Sequence, residues 1–356
     1  MTFTNADKWR PASAPGAEPK LVKIIVLVDA GRAGGTVSNG GPDGEARRAR
    51  GASARFFADI SGMASGRGSG GDKTPSGSRR GAAAHRRPAT GRVSEQEIED
   101  VEERSSPRTP VIYEIVRRLG EEEMARPGIS LWWSGVAAGL SISFSLLAQA
   151  IFETHLPDAA WRPLVSGFGY SIGFLMAVLS RQQLFTETTI TAVLPVMAEF
   201  SFASLARMGR MWGIVLLANL AGTLFAAAFC TFAPVISPEL RASMLQISRH
   251  VAETGWVEMF FLAIAAGFLM AAMVWLLPSA DGAQFHVITM MTWLIAVGGF
   301  THIVAGSMEA FLLAVNGQLS LGGLLLGFVA PVLTGNIVGG TVLFAVLSYA
   351  QVMKEI

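Results

Sequence analysis

Cysteine and charge are both scarce in this 356-residue sequence. Cys230 is the only cysteine and lies in an apolar run, which excludes a disulfide framework and a cysteine metal site. Charged residues make up 15% of the chain, against roughly a quarter in soluble domains. From Ile129 onward they nearly vanish for long runs, a pattern typical of an integral membrane protein.

The signatures of several enzyme classes are missing as well. The sequence contains no H-E-x-x-H zinc motif, no G-x-S-x-G nucleophile motif and no P-loop. A membrane enzyme stays a rival hypothesis only because histidines, glutamates and hydroxyl side chains share the apolar stretches. We therefore expect no enzyme activity, no cofactor and no metal site.

Residues 1–93 differ from the remainder of the chain. They are rich in Gly, Ser, Pro and Arg and poor in large apolar side chains, so they cannot bury enough surface to offset the entropy of ordering. We predict a disordered basic tail. Because its arginines lack interleaved aromatic residues, the composition favours a solvated tail over nucleic-acid binding.

Residues 94–127 have the pattern of an amphipathic helical segment. Ser94 is followed three residues later by Glu97, as in a capping box. Apolar residues then recur at helical spacing on one stripe: Val111, Ile112, Ile115, Val116 and Leu119. Such a helix with nearby arginines, directly before a membrane crossing, predicts an interfacial helix on the cytoplasmic side.

Residues 128–356 carry six apolar stretches, each long enough to supply the about 20 residues that a bilayer crossing needs. They run Ser130 to Phe152, Pro163 to Phe200, Leu205 to Phe232, Trp256 to Leu277, Phe285 to Val315 and Leu319 to Gln351. Polar residues break the second and the fifth. The chain is thus predicted to be an all-α membrane protein of two inverted three-helix repeats, with a pathway where the breaks meet. The distribution of Arg and Lys predicts that both termini are cytoplasmic.

The first interruption, RQQLFTET, supplies the side chains of a polar pathway. A non-helical break at bilayer depth persists only where protein or a wet cavity lines it. Thr186 and Glu187 offer a hydroxyl and a carboxylate there, and Leu184 and Phe185 offer apolar bulk for a constriction. For Arg181 and Glu187 two interpretations stay open: a structural ion pair that pins the loop, or a gating role.

The second interruption contains Phe300-Thr301-His302 and is followed by Glu309. A carboxylate inside a membrane is costly and usually paired, so we expect Glu309 to be the partner of a polar group at the loop or at a protomer interface. His155 and His250, which we predict to lie in loops, and His286, near a helix start, are interpreted as structural.

Three short motifs in this order resemble the formate/nitrite transporter family, and within it the YfdC-like branch. They are Leu184-Phe185-Thr186, Phe300-Thr301-His302 followed by Ala305, and Gly335-Asn336-Ile337-Val338-Gly339-Gly340. The likeness covers roughly residues 110–353. It implies a homopentamer of aquaporin-like protomers in a bacterial inner membrane, each passing small monovalent anions or their conjugate weak acids.

The resemblance also implies roles for single residues. Thr186 matches a loop threonine, and His302 matches the pore histidine that faces it near the midplane. The outer apolar constriction corresponds to Tyr170, Phe185 and Ile295. The inner constriction corresponds to Phe174, Leu184 and Val274, and Phe174 is bulkier than the leucine usual at that position.

A bare anion loses much of its hydration in an apolar constriction, whereas a neutral acid avoids most of that cost. We therefore predict that His302, hydrogen-bonded to Thr186, relays a proton to the passing anion, since the ordinary pKa of histidine lies near neutrality. Two other functions stay open on the same fold. One is a channel for neutral solutes such as water or glycerol, and the other is a non-conducting scaffold or sensor whose pore Phe174 closes.

Overall fold

A computed structural model of the chain describes residues 107–356. The predicted basic tail, residues 1–93, and the capping-box part of the amphipathic segment, residues 94–106, lie outside the described residues. Within residues 107–356 every regular element is helical and no strand is present. The fold class predicted from the apolar stretches is thus observed in this part of the chain.

The first helix, α1, spans Thr109–Ala125 and begins with a proline in its first turn, where a missing N–H costs nothing. Its buried face consists of Tyr113, Val116, Gly120 and Met124. Gly120 packs so closely that a Cβ atom there would lie 1.7 Å from the carbonyl oxygen of Thr191. The outer face carries Glu114 and Arg117, whose side chains form a salt bridge of 2.8 Å. Helix α1 is therefore amphipathic, as its sequence predicts, and it packs against the segment that follows the first break.

The helices of the first half follow in order. They are α2 Gly128–His155, α3 Arg162–Leu179, α4 Phe185–Thr191, α5 Val193–Ala198 and α6 Phe202–Phe232. Helices α2, α3 and α6 are each long and apolar enough to cross a membrane. The short helices α4 and α5 continue α3 after an interruption, as predicted for the second stretch.

The second half begins with a helix that was not predicted from the sequence. Its helices are α7 Pro238–Glu253, α8 Trp256–Leu276, α9 Gln284–Val297 and α10 Ile303–Val315, with a 3-10 turn at Leu277–Ser279. Helix α8 is long and apolar enough to span a membrane, whereas α9 and α10 are shorter apolar helices. The predicted fifth stretch is thus two half-length helices separated by a break.

The last helical run, Gly323–Val352, has the length and hydropathy of a membrane crossing. It alternates between π-helix at Gly323–Val329, α11 at Ala330–Ile337, π-helix at Val338–Ala345 and α12 at Val346–Val352. π-helical turns inside a helix widen it locally and are frequent near functional sites. Here they flank Asn336, which reaches the second break.

Two histidines do not lie in loops, contrary to prediction. Helix α2 continues to His155, and His250 belongs to α7. Helix α7 is capped by Ser237, whose hydroxyl accepts the N–H of Leu240 at 3.2 Å, and Pro238 occupies its first turn. Its charged residues made this segment resemble a loop, but the buried positions Met244, Ser248 and Val251 recur at helical spacing.

Each half of the molecule has a close helix crossing at a glycine. In the first half a Cβ atom on Gly139 would lie 2.3 Å from the carbonyl oxygen of Asn219. In the second half a Cβ atom on Gly267 would lie 2.3 Å from the carbonyl oxygen of Asn336. Small residues permit such backbone contact between membrane helices. These two crossings hold both asparagines beside the two breaks.

Candidate functional site: two broken helices and the histidine between them

The two breaks have the same length and the same backbone turn. Five residues separate α3 from α4, namely 180–184, and five separate α9 from α10, namely 298–302. The second residue of each break lies in the left-handed region, with φ of 52° at Arg181 and 64° at Gly299. An inverted repeat requires such a correspondence, because both halves build their break in the same way.

Asn219 on α6 satisfies the backbone groups that the first break exposes. Its Oδ1 accepts the N–H of Phe185 at 2.9 Å. Its Nδ2 donates to the carbonyl oxygens of Gly135 and Gln183 at 2.8 and 2.9 Å. Backbone groups at this depth have no water to bind, so each needs a protein partner. The fully buried amide therefore stabilises the end of the break.

Asn336 performs the same task for the second break. Its Oδ1 accepts the N–H of Ile303 at 2.8 Å, and its Nδ2 donates to the carbonyl oxygens of Ala263 and Thr301 at 2.8 and 3.0 Å. From the sequence, Asn336 was recognised only as part of a motif, and Asn219 was not predicted. A lone amide in an otherwise apolar helix was the available signal, because a buried polar side chain there needs partners.

The residues that begin α4 and α10 differ between the breaks. Leu184 precedes α4 and caps no N–H with its side chain. His302 precedes α10, and its Nδ1 accepts the N–H groups of Val304 and Ala305 at 3.3 and 3.2 Å. The imidazole therefore serves as the N-cap of α10, so the backbone of the second break fixes the position of the ring.

The two breaks meet where His302 contacts Thr186. Nε2 of His302 lies 2.7 Å from Oγ1 of Thr186, and the two residues are 1% and 0% exposed. A neutral imidazole has one donor and one acceptor nitrogen. Because Nδ1 accepts two N–H groups, the proton belongs on Nε2, which donates to the threonine hydroxyl. The predicted pairing of these two residues is present in the structure.

An apolar throat surrounds this contact. Phe174 is fully buried and packs edge-on against the His302 ring, with 5.1 Å between ring centroids. Tyr170 packs against Phe174, also at 5.1 Å. Tyr170 and Val178, one turn to either side of Phe174 on α3, line two different cavities. Phe174 therefore lies at the level that separates these cavities.

The larger cavity, of about 500 Å³, lies beside α1. We call it the α1-side cavity, and its lining includes Val274, Val178, Arg181 and Glu187. Glu123 on α1 also lines it and accepts hydrogen bonds from Gln183 Nε2 at 3.0 Å and Thr191 Oγ1 at 2.7 Å. Burial raises the pKa of Glu123, against the lowering effect of these two hydrogen bonds.

The smaller cavity, of about 170 Å³, lies on the other side of the throat beside α7. We call it the α7-side cavity. Tyr170, Ile295 and His302 line it, together with Glu309 and His250. Three residues expected at the pore thus border one cavity, while Val274 borders the other.

Phe185 and Leu184 take other positions. Both are buried, and neither is among the residues that line the two cavities. The Phe185 ring packs edge-to-face against Trp212 on α6, with 5.7 Å between centroids. Leu184 belongs to the same buried apolar cluster as Phe174. Their assignment to constrictions stays a prediction.

The structural ion pair between Arg181 and Glu187 was a wrong interpretation. Among the described residues no salt bridge within 4.0 Å joins them. Both side chains border the α1-side cavity, and Oε1 of Glu187 is buried without a hydrogen-bond partner there. The gating role stays a prediction.

Glu309 has a partner, as expected, but on an unexpected element. Its Oε2 lies 3.4 Å from Nε2 of His250, which α7 brings to the α7-side cavity. The prediction that His250 lies in a loop is wrong, because it belongs to α7. This helix folds back over α10 and places its polar side beside a buried carboxylate.

Apolar membrane helices, two matched breaks and an enclosed contact between imidazole and hydroxyl define an integral membrane protein of the broken-helix transporter class. The chain belongs to the formate/nitrite transporter family: the family profile described as "Formate/nitrite transporter" matches residues 110–350. The predicted family resemblance is confirmed, and the match begins within the predicted amphipathic segment.

Individual relatives agree with this membership. The chain is 43% identical to the inner membrane protein YfdC of Escherichia coli K12 over 260 residues, which are 73% of this chain and 84% of the relative. It is 29% identical to the formate channel FocA of Haemophilus influenzae over 187 residues, 51% of this chain and 64% of the relative. The relatives named by function are channels or transporters, which supports a protein that is not an enzyme.

Solved structures share the fold. A structure titled "FNT family ion channel" matches with a TM-score of 0.58 at 19% identity, covering 68% of this chain and 98% of that one. A "Pentameric formate channel with formate bound" matches with a TM-score of 0.54 at 20% identity, covering 64% and 98%. The all-helical membrane fold predicted from the sequence is thereby confirmed.

Proposed function

We propose that this chain forms a transmembrane pathway for small monovalent anions of the formate or nitrite type, which cross the throat as conjugate acids with a proton relay at His302. The observation that carries the proposal is the 2.7 Å contact between His302 and Thr186, near the level that separates the two cavities. A separate buried asparagine stabilises each of the two breaks that supply these residues. Relatives named as formate channels support the class of substrate.

The apolar residues around His302 favour the passage of a neutral solute over that of an anion. Phe174, Leu184 and Phe185 are buried apolar residues around the breaks, and none of them can replace the hydration shell of an anion. Removing a charge from water without compensation costs several kcal/mol, in rough terms, even after relaxation. A protonated weak acid avoids most of this cost, so protonation before the throat lowers the barrier.

The cap geometry defines the state in which His302 acts. A proton on Nδ1 would remove both cap hydrogen bonds at the start of α10, so the ring is neutral with its proton on Nε2. An anion in the α7-side cavity can accept this N–H in place of the Thr186 hydroxyl. His302 then holds the passenger at the entrance of the throat while a proton reaches it.

The proposal also covers the domain organisation, the assembly and the membrane location of the protein. Residues 128–356 form the transporter domain, preceded by the interfacial segment 94–127 and the basic tail 1–93. The protein assembles as a homopentamer in a bacterial inner membrane, with both termini cytoplasmic. The E. coli relative named an inner membrane protein and the pentameric formate channel of similar fold support this arrangement.

Reconstituted uptake tests the proposal. Proteoliposomes containing the purified full-length chain should take up formate faster as the external pH falls, because more of it is then protonated. His302→Phe should abolish the pH-dependent flux. His302→Asn is the matched variant, because asparagine can cap α10 but cannot relay a proton. It should keep the protein folded and lose on the order of 100-fold in flux. Unchanged flux in both variants would remove His302 from the mechanism.

The same assay separates the alternatives. A neutral-solute channel would pass glycerol as well as formate and would ignore pH. A non-conducting scaffold or sensor is favoured by one observation, the fully buried Phe174 packed against His302. A folded pentamer without flux for any small acid, even after Phe174→Leu widens the throat, would establish that second function.

A further inference from the structure

A second titratable pair lies outside the contact between His302 and Thr186. Glu309 on α10 is buried, with 7% of its side chain exposed, and it is the only charged residue of that helix. His250 on α7 faces it, and 46% of the His250 side chain is exposed. The pair therefore connects a buried carboxylate to the protein surface through one exposed imidazole.

The hydrogen bonds of His250 define where a proton between the pair must be. Nδ1 of His250 lies 2.9 Å from the carbonyl oxygen of Ile247, which can only accept, so Nδ1 carries a hydrogen. In a neutral ring Nε2 is then an acceptor, yet it lies 3.4 Å from a carboxylate oxygen. Two acceptors repel each other unless a proton is bound to one of them.

Glu309 also has unused hydrogen-bonding capacity. Its Oε2 is buried and accepts no hydrogen bond within the described part of the chain. It borders the α7-side cavity, whose volume of about 170 Å³ far exceeds the roughly 10–15 Å³ that one water molecule requires. A carboxylate oxygen without a hydrogen bond in a cavity of this size has room to bind a small polar solute or a bridging water.

The α7-side cavity holds four titratable side chains: Tyr170 from α3, His250 from α7, and His302 and Glu309 at and after the second break. Gln149 from α2 and Phe328 from the last helical run also line it and carry no charge. Arg249, next to His250, is exposed and not part of the lining. The charge of this cavity therefore depends mainly on the protons that Glu309 and His250 hold.

We propose that Glu309 and His250 form a shared proton-binding site that supplies the proton for the passing anion. This inference rests on the proposed function and names the proton source of the relay. His302 does not store that proton, because its Nδ1 accepts two N–H groups and a neutral ring that lost its Nε2 proton without replacement would be an imidazolate; His302 relays only a proton that the pair supplies. The pair loses its O–H or N–H bond, the anion gains an O–H bond, and the exposed His250 recovers a proton from solvent.

The pair also controls the charge that an anion meets. Without the shared proton the pair is negative and repels anions from the cavity. With one proton it is neutral, and with two it is positive. Anions therefore enter the α7-side cavity more readily at lower pH, which is the condition under which the pair can also protonate them.

Two measurements on the full-length protein test the inference. In proteoliposomes, Glu309→Gln should flatten the pH dependence of formate uptake and reduce uptake at acidic pH on the order of 100-fold, whereas His250→Gln should shift its midpoint. Infrared difference spectra recorded across a pH step should show a protonated-carboxyl band in the wild type. Glu309→Gln should remove this band, and His250→Gln should move it.

Glu253→Gln is the matched control, since Glu253 ends the same helix as His250 and is exposed. It should change neither the flux nor the band. Wild-type flux with an unaltered pH profile in Glu309→Gln would overturn the proton-source role while leaving the proposed function intact. A wild-type protein without flux would overturn the proposed function. The absence of a Glu309-dependent band would overturn the shared proton site on its own.

Discussion

The two broken helices have the same design but differ at the residue that precedes each second half-helix. Both breaks contain five residues, turn through a left-handed second residue and rest on a buried asparagine. Yet Leu184 begins α4, whereas His302 begins α10. The asparagine hydrogen bonds that stabilise a break are therefore present in both halves, whereas a titratable imidazole is present in the second break only.

This difference shows how a symmetric scaffold acquires an asymmetric site. The backbone angles of Leu184 are φ −106° and ψ 125°, and those of His302 are φ −112° and ψ 128°. The backbone is nearly the same, so the two positions differ in the side chain: Leu184 is a buried apolar residue, whereas the His302 ring caps a helix and contacts Thr186. The hydroxyl that accepts the hydrogen bond from Nε2–H comes from the opposite repeat, so neither half contains the contact by itself.

Removing either asparagine should have the largest effect on stability. Asn219→Ala and Asn336→Ala each leave one N–H and one carbonyl group of a break unsatisfied in the interior, at about 1–3 kcal/mol per group. We expect both variants to lose several kcal/mol, in rough terms, and to unfold early in detergent. Asn316→Ala is the control, because Asn316 is half-buried at the end of α10. A large decrease in stability in only one of the two asparagine variants would disprove the equivalence of the breaks.

Substitutions at Arg181 and Gly299, the two residues with left-handed backbone, should change the free energy of unfolding by different amounts. Gly299→Ala should destabilise the protein by about 1 kcal/mol, since an L side chain is strained at φ of 64°. Arg181→Gly relieves the same strain, but glycine loses more entropy on folding, so the net change should stay within about 0.5 kcal/mol. Thermal unfolding in detergent measures both. Gly209→Ala, at an exposed helical position, should be neutral or mildly stabilising, and equal losses at 181 and 299 would contradict the expectation.

The smallest effect concerns the docking of α1, which reaches the first break through the hydrogen bond between Glu123 and Gln183. Burial raises the pKa of Glu123, so its protonated form is favoured where α1 is docked. Docking should then be strongest below the ordinary pKa of 4.5 and weaken as the pH rises through the raised value. Hydrogen exchange of the α1 amides should be slower at acidic pH after correction for intrinsic rates. Glu123→Gln should remove this dependence and Glu122→Gln should keep it.

The membrane crossings and both interruptions follow from the sequence, because a long apolar run has few other stable states and a polar insertion at that depth must be lined. Both interruptions drew attention to Thr186 and His302, but their pairing was predicted from the resemblance to the formate/nitrite transporter family. Helix α7 was missed because charged residues obscured its buried stripe. The ion pair of Arg181 and Glu187 was wrong because proximity in sequence does not set side-chain direction at a left-handed turn.

The sequence by itself determined that this protein lies in a membrane, where it crosses, and that two crossings are interrupted by polar residues. Only the tertiary structure decided which groups meet: Asn219 with the first break, Asn336 with the second, and Glu309 with His250. The physical reason is that hydropathy is a sum over neighbours along the chain. Hydrogen bonds, in contrast, depend on the position and direction of single atoms from distant segments.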